Sequence, residues 1–350
     1  MHVVVVGASG NVGTSVLRSL ADEAAVDSVL GLARRRPQAE FAKTTWATAD
    51  VTSDDLTPHF RGADAVVHLA WAIQPSRDDG ELRRINVLGS ERVFRAVAEA
   101  GVPALVYASS VGAYSPGPKD RTVDESWPTD GIRTSFYSRH KAEVERLLDR
   151  FEQETQTRVV RLRPGLIFKR EAATGIRRLF AGPLFPSPLV RGGRVPIVPN
   201  IPGLRFQAVH SLDVGDAYRR ALVTDARGAF NIAAEPVLDP ETLAQLFGAR
   251  LVPLPVRVAR TLADLTWRVH LQPTPSGWLD MGLGVPLLDC TRARELLGWE
   301  AQRSSTDALR ELLQGMADGA GVETPPLAPQ TTAPLRVREL LTGVGRSSGE

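Results

Sequence analysis

Tyr137 and Lys141 stand four positions apart in the run Tyr137-Ser138-Arg139-His140-Lys141. On a helix that spacing puts both side chains on one face, with Cβ atoms about 6 Å apart. A phenol, whose ordinary pKa is about 10, is a poor base at neutral pH. A neighbouring ammonium favours its phenolate and makes proton exchange with an alcohol or a carbonyl practicable. The pair continues as a stripe through Val144, Leu148 and Phe151, so its face points inward, and Lys141 is one of only four lysines in the chain. Catalysis is the reading; an ordinary surface pair is the alternative.

A second run with chemistry in it is Gly7-Ala8-Ser9-Gly10-Asn11-Val12-Gly13. Glycines let a backbone turn tightly and approach a pyrophosphate, while the amides and dipole at a helix N-terminus face the anion. The run comes after the apolar residues 3–6 and leads into Val12, Val16 and Leu20, which recur every four residues. Strand, glycine loop and helix in that order make Gly7, Ser9, Gly10, Asn11, Val12 and Gly13 a dinucleotide-binding loop rather than a structural turn. The residues just after Leu32 bear on which dinucleotide. An acidic residue there grips the ribose diol of NAD, whereas basic residues accommodate the 2′-phosphate of NADP. The chain reads Ala33-Arg34-Arg35-Arg36-Pro37, with no Asp or Glu before Glu40. NADP is therefore favoured with Arg34 and Arg35 as contacts, and NAD stays open, since Arg outnumbers Lys 38 to 4 and the turn reads equally as a solvated basic one.

These residues need a frame to hold them. Residues 3–6, 29–32, 65–69 and 104–107 are short, apolar throughout and bounded by Gly, Pro or polar residues, the pattern of buried strands. Between them Leu82, Ile85, Gly89, Val93 and Val97 keep a helical rhythm that stops at Gly101. Strand and helix in alternation predict an α/β fold, a Rossmann doubly wound parallel sheet with right-handed crossovers, over residues 1–165. After Arg163 the character changes. Pro164, Pro183, Pro186, Pro188, Pro196, Pro199 and Pro202 interrupt any long helix, with Arg170, Arg177, Arg178, Arg191, Arg194 and Arg205 interspersed. That composition predicts a loop-rich, discontinuous substrate-binding lid over 166–318. The sheet is expected to be revisited near 206–210 and 229–233, with one helix after Leu212 and another over 256–269. Gly, Pro, Thr and Ser dominate residues 319–350, a mostly disordered tail with a short helix at 335–341.

The GxxGxxG loop and the Tyr137/Lys141 pair together resemble the short-chain dehydrogenase/reductase superfamily, in particular its extended branch of NAD(P)-dependent epimerases, dehydratases and reductases. The resemblance covers residues 1 to about 315 and includes Leu297-Gly298-Trp299 near its end. It implies several roles. Ser110, four residues before Tyr114, takes the place of the Ser or Thr that hydrogen-bonds the reacting oxygen; Ser109 is the fallback, and Ser115 replaces the usual Gly after that Tyr. Asp50 and Val51 take the place that meets the adenine amino group. Leu69 and Ala70 line the nicotinamide ribose side, with His68 read as a core or surface histidine. Asn86, in Asn86-Val87-Leu88-Gly89, supports the site or a proton relay, or is a plain helix amide. Pro164 and Gly165 lie beside the nicotinamide carboxamide. His210 and Asp213 are structural by default, and Trp267, Trp278 and Trp299 are read as packing. Members often dimerise through the helix carrying Tyr137 and its neighbour, so a homodimer is expected.

In the chemistry the resemblance implies, Tyr137 moves the proton on substrate oxygen, Lys141 keeps it acidic and holds the nicotinamide ribose, and Ser110 orients the oxygen. Sugar 4,6-dehydratases of the branch carry an Asp-Glu pair directly after the Ser/Thr; Val111 and Gly112 stand there, which disfavours dehydration. The Tyr-Phe-Asn stretch that helps hold nucleotide sugars is replaced by Arg163-Pro164-Gly165. A net NADP-dependent reductase or dehydrogenase of a carbonyl or secondary alcohol is the leading reading. An NAD-dependent nucleotide-sugar epimerase and a non-enzymatic NADP-binding sensor or scaffold are the alternatives.

The bulk composition agrees with a small-molecule enzyme. The 350 residues carry a formal net charge of +2, with 43% hydrophobic and 23% charged residues, which excludes a disordered chain, a collagen and a disulfide-stapled module. No basic stripe with interleaved aromatics points to nucleic acid. Cys290 is the single cysteine, and no Cys/His cluster holds a metal, so a reducing cytoplasm fits. The apolar opening runs straight into Gly7 without a basic flank, unlike a signal peptide. The longest uncharged stretch, 102–118, is broken by Pro, Gly, Ser and Tyr and is a poor membrane span.

Overall fold

The structure, a computed structural model, describes residues 1–73, 78–173, 175–176, 195–269 and 274–327. Its strands in chain order begin with β1 (His2–Val6), β2 (Ser28–Ala33), β3 (Thr44–Thr48), β4 (Ala65–His68), β5 (Ala104–Ala108) and the two-residue β6 (Thr122–Val123). They continue with β7 (Arg158–Pro164), β8 (Leu166–Phe168), β9 (Ile197–Asn200), β10 (Ala208–His210) and β11 (Gly228–Ile232). Seven of these form one sheet in the order β11-β7-β5-β4-β1-β2-β3. Every pairing in it is parallel. Val3, Val4 and Val5 have no exposed surface, as strands covered on both faces require.

The helices that cover the faces are α1 (Asn11–Ala21), α2 (Thr57–Phe60), α3 (Asp79–Arg83), α4 (Gly89–Glu99), α5 (Phe136–Glu154) and α6 (Ser211–Val223). Val16 and Leu20 of α1 and Val214 and Tyr218 of α6 build one core layer. Phe60 of α2, Val93 and Val97 of α4, and Val144 and Leu148 of α5 build the other. Helices on both faces of a parallel sheet make the doubly wound α/β fold. The register aligns Val6 with His68 and His68 with Tyr107, so the loops leaving β1, β4 and β5 meet along one edge. That edge is where a sheet of this kind binds its ligand.

Several expectations change against the structure. Residues 208–210 do not rejoin the main sheet: among the described residues β10 pairs only with β8, in a separate two-stranded ladder, and β11 alone returns to β7. The chain leaves the sheet at Gly165, where a Cβ would lie 2.5 Å from the Gln207 carbonyl oxygen, so the strand after it is drawn toward 207–210 instead. The helix expected from Leu82 to Val97 is one continuous run, but its middle, Arg84–Leu88, widens into a π-turn centred on Asn86. Part of the expected disordered tail is packed: Thr324 and Leu327 are buried, and the Ala39 amide donates to the Glu323 carbonyl at 3.3 Å. The helix over 256–269 forms, as Val256–Arg268. Pro183, Pro186, Pro188, Arg177, Arg178, Arg191 and Arg194 of the expected lid, and the short helix at 335–341, lie outside the described residues. No helix among the described residues is long and apolar enough to cross a membrane.

Candidate active site

The phosphate loop is built by close approach. Gly7 adopts φ +86°, and a Cβ there would lie 2.7 Å from the Ala70 amide nitrogen. Only a glycine therefore lets β1 and β4 end side by side. At Gly13 a Cβ would lie 2.4 Å from the Ala8 carbonyl oxygen. Gly10 caps α1 without a side-chain hydrogen bond, which leaves the first-turn amides for an anion. The Asn11 Oδ1 atom is buried beside this turn without a hydrogen-bond partner among the described residues. A glycine cradle and an uncapped helix start suit a dinucleotide at Gly7, Ser9, Gly10, Asn11, Val12 and Gly13, whose pyrophosphate would meet the free first-turn amides. Gly13→Ala is expected to cost about 1–3 kcal/mol through overpacking, read as a lower urea midpoint together with weakened dinucleotide binding.

The other cofactor candidates lie along the same edge. Arg34 and Arg35 are exposed just beyond β2, and neither forms an ion pair with a described residue. The Asp50 carboxylate accepts from the Thr52 amide at 2.8 Å and hydroxyl at 2.7 Å, holding its own turn, and Val51 is buried against Gly89. The Leu69 amide donates to Val6, which sets Leu69 and Ala70 against Gly7. Pro164 ends β7, two strands from β4. His68 is buried, with Nε2 2.9 Å from the Ser90 hydroxyl; burial chiefly, aided by the Lys141 charge, depresses its pKa to about 3, so it is a neutral core residue.

Asn86 spends both ends of its amide on one peptide. Its Oδ1 accepts from the Ala72 amide at 2.7 Å and its Nδ2 donates to the Ala72 carbonyl at 3.0 Å. This geometry serves support of the segment after β4.

Tyr137 and Lys141 sit on the first turns of α5, whose start Ser135 caps. The Ser138 hydroxyl donates to the Gly112 carbonyl and accepts from the Ile132 amide at 2.6 Å, which locks α5 to the turn that carries Ser110. Ser110 caps that turn, accepting from the Gly112 amide at 3.0 Å, and it lies close enough to Tyr137 to pull the phenol pKa down. Ser109, the fallback, points the other way and donates to the buried Glu145 at 2.5 Å. The Lys141 ammonium donates to the Ala108 carbonyl at 2.6 Å and lies 3.5 Å above the Trp71 ring. The expected depression of the phenol by its lysine is not what the geometry produces. Burial dominates, raising Tyr137 to about 12 against the smaller downward pull of Ser110, and burial likewise holds Lys141 well below its ordinary range. A phenol in that state keeps its proton at neutral pH.

Sequence reasoning missed what stands behind and in front of this pair. Behind it, Glu145 is one turn beyond Lys141 and fully buried. It receives the Arg163 guanidinium through two bonds, at 2.9 and 3.0 Å, and Arg161 at 2.9 Å. The i,i+4 continuation of Tyr137 and Lys141 was the available signal for Glu145; its arginine partners come from β7. In front stands Trp278, expected only to pack, yet its ring centre lies 5.2 Å from that of Tyr137 at an interplanar angle of 33°. Trp71 meets the same ring edge-on at 5.9 Å. Met281, Ile132 and Val285 extend this apolar wall. Trp299 does pack, donating to the Asp213 carbonyl at 2.8 Å, and Asp213 holds the Gln302 and Arg303 amides. His210 caps α6 and faces Glu311 at 3.1 Å.

Residues 3–233 match the sequence profile of the NAD dependent epimerase/dehydratase family. The uncharacterized protein Rv2047c of Mycobacterium tuberculosis is 26% identical over 314 residues, which is 89% of this chain and 29% of that protein. This chain thus spans less than a third of that relative's length. A Stigmatella aurantiaca 4-hydroxy-2-methyl-3-oxo-4-farnesyl-3,4-dihydroquinoline-1-oxide ketoreductase is 28% identical over 152 residues, 42% of this chain and 45% of that protein. The NAD-bound UDP-glucose 4-epimerase of Thermus thermophilus superposes with a TM-score of 0.67 at 21% identity, covering 90% of this chain and 99% of that one. At that identity the likeness speaks for the fold.

Proposed function

This chain belongs to the NAD dependent epimerase/dehydratase family, and on that basis we propose that it is an NADP-dependent reductase of a carbonyl compound with apolar groups flanking the carbonyl. The observation that carries this reading is the environment of Tyr137. Its ring lies against those of Trp71 and Trp278, with Met281 in the same apolar cluster. Sugar hydroxyls next to a reacting carbon need polar partners, and leaving them against aromatic and thioether groups costs free energy. A flat or aliphatic ketone loses nothing there. The Stigmatella aurantiaca ketoreductase, whose named substrate carries a farnesyl chain, supports the same substrate chemistry.

When bound, the reduced nicotinamide supplies a hydride to the carbonyl carbon. Tyr137 would give its proton to the carbonyl oxygen, so that ketone, hydride and proton together make the alcohol and a tyrosinate is left. Ser110 hydrogen-bonds that oxygen and fixes its direction. Lys141, anchored on Ala108, holds the nicotinamide ribose and offers the nearest positive charge to the developing phenolate. The wall of Trp71, Trp278 and Met281 excludes water from the exchange. Asp50 and Val51 line the adenine side, and Leu69, Ala70 and Pro164 the nicotinamide side.

The NADP preference rests on Arg34 and Arg35, exposed beyond β2 without ion-pair partners among the described residues. Purified protein, first checked for retained nicotinamide by absorbance and fluorescence, is expected to arrive empty and to bind NADPH more tightly than NADH. Replacing both Arg34→Ala and Arg35→Ala should weaken NADPH about 10- to 100-fold, as loss of charge-assisted hydrogen bonds does, and leave NADH unchanged. Tightly retained NAD, with no preference for NADPH, would replace this reading with the second one, a nucleotide-sugar epimerase, an activity the family name includes.

A further inference from the structure

Among the described residues, Lys169 is the buried cation near the dinucleotide loop for which the proposed reduction has no use. It lies just past β8 in the region assigned to substrate, has no exposed surface, and reaches back under the start of α1. Its ammonium donates to the Asn11 carbonyl at 2.8 Å, to the Thr14 hydroxyl at 2.6 Å and to the Ser15 hydroxyl at 3.2 Å. Thr14 in turn donates to the Gly10 carbonyl at 3.1 Å, and Ser15 is 2.9 Å from the Ser211 hydroxyl of α6. Every partner is a neutral oxygen, and no described carboxylate lies within ion-pair distance. The acids nearby are engaged elsewhere: Glu171 with Arg18 at 3.0 Å, and Glu311 with His210.

This arrangement runs against two electrostatic rules. A buried ammonium is normally paired with an anion, and a cation is disfavoured at a helix N-terminus, where the dipole is already positive. Both costs are relieved by a dianionic group on the open side of the same turn. We propose that Lys169 is a positioning cation of the dinucleotide site, whose charge, acting through the Gly10–Ser15 turn it holds, is balanced only when a pyrophosphate is bound. The proposal rests on the dinucleotide reading and extends it, because it ties the segment after β8 to occupancy of the cofactor loop.

A hydrogen-bonding staple alone and a charge balanced by ligand differ in how binding depends on pH. Burial lowers the Lys169 pKa to about 8, with Glu171 and Glu311 opposing the shift and Arg18 adding to it. A bound anion favours the protonated form. Binding then takes up a proton near pH 8, and affinity falls as pH rises past that point, by up to about tenfold per unit. The experiment is calorimetric titration of the whole protein with NADH and NADPH from pH 7 to 9.5, in two buffers of different ionisation enthalpy, for the wild type and Lys169→Met. Expected are proton uptake and a Kd that rises above pH 8 in the wild type. In Lys169→Met the Kd is about tenfold weaker at pH 7, and this step is lost. A wild-type Kd that stays flat with no proton uptake overturns the proposal while leaving dinucleotide binding intact. A step that persists unchanged in Lys169→Met assigns it to another group, such as Lys141, and also overturns it. Absence of any dinucleotide binding by the wild type would remove this proposal and the functional reading together. The wild-type arm needs no variant to fold.

Discussion

Tyr137→Phe is expected to lower kcat/KM for NADPH-dependent ketone reduction by about 10²–10⁴-fold, the range for loss of a positioned proton donor, with the NADPH Kd unchanged. The substitution removes one oxygen and keeps the ring that packs against Trp71 and Trp278. Packing, and with it the shape of the wall, is retained. What is lost is the phenol hydroxyl, on the same helix face as the Ala108-anchored lysine. The pH profile gives an internal check. Tyr137, at about 12 because burial outweighs the pull of Ser110, stays protonated over the whole working range, so the wild-type reduction rate should show no loss from this group between pH 6 and 9. Steady-state kinetics on a panel of hydrophobic ketones measures both. A variant that keeps more than about a tenth of wild-type kcat/KM, well short of the 10²–10⁴-fold loss expected of a proton donor, would dismiss Tyr137 from that role.

Glu145→Gln is expected to destabilise the fold by about 3–5 kcal/mol, the cost of leaving a buried charge without its partner. Arg161 retains Asp149 at 2.6 Å and also Glu152, so the orphaned charge is chiefly Arg163, whose two bonds to the carboxylate are lost. Arg163 also donates to Tyr114 at 3.1 Å and to the Glu125 carbonyl at 2.9 Å, so the loop that carries Ser110 loosens with it. Burial pushes the Glu145 carboxyl up, but Arg163, Arg161 and Ser109 together outweigh it and bring the pKa to about 2. The folded pKa therefore lies below the unfolded one. The stabilisation is complete above the ordinary carboxyl range and is lost as pH falls from about 4.5 toward 2. Urea denaturation at pH 7 and at pH 3 separates the two cases: the gap between wild type and variant should shrink on acidification. An equal gap at both values would remove the carboxylate's charge from the account.

The local parts of the site were legible because their geometry is contained in short stretches of chain. Gly7, Gly10 and Gly13 lie between one strand and one helix, and steric approach to Ala8 and Ala70 leaves no room for a side chain at Gly7 or Gly13. Tyr137 and Lys141 share a helix face by spacing alone. The expected return of residues 206–210 to the sheet failed because an apolar run marks a strand without naming its partner; β10 pairs with β8, and β11 takes the edge of β7. The π-turn at Asn86 was likewise invisible, since one extra residue in a helical turn leaves the apolar rhythm almost unchanged.

Periodicity and spacing within single elements encode the parallel α/β frame, the glycine loop and the Tyr137/Lys141 pair, while Ser110 is added only by the family resemblance. The state those groups adopt comes from packing between elements. Trp278 reaches Tyr137 from a helix far along the chain, Arg163 reaches Glu145 from β7, and Lys169 reaches Asn11 across 158 positions. These contacts are set by sheet register and by how helices pack on it, and burial then fixes the charge each group carries. A neutral phenol, an aromatic wall against it and a buried ammonium under the phosphate loop are properties of that packing, which no window of sequence contains.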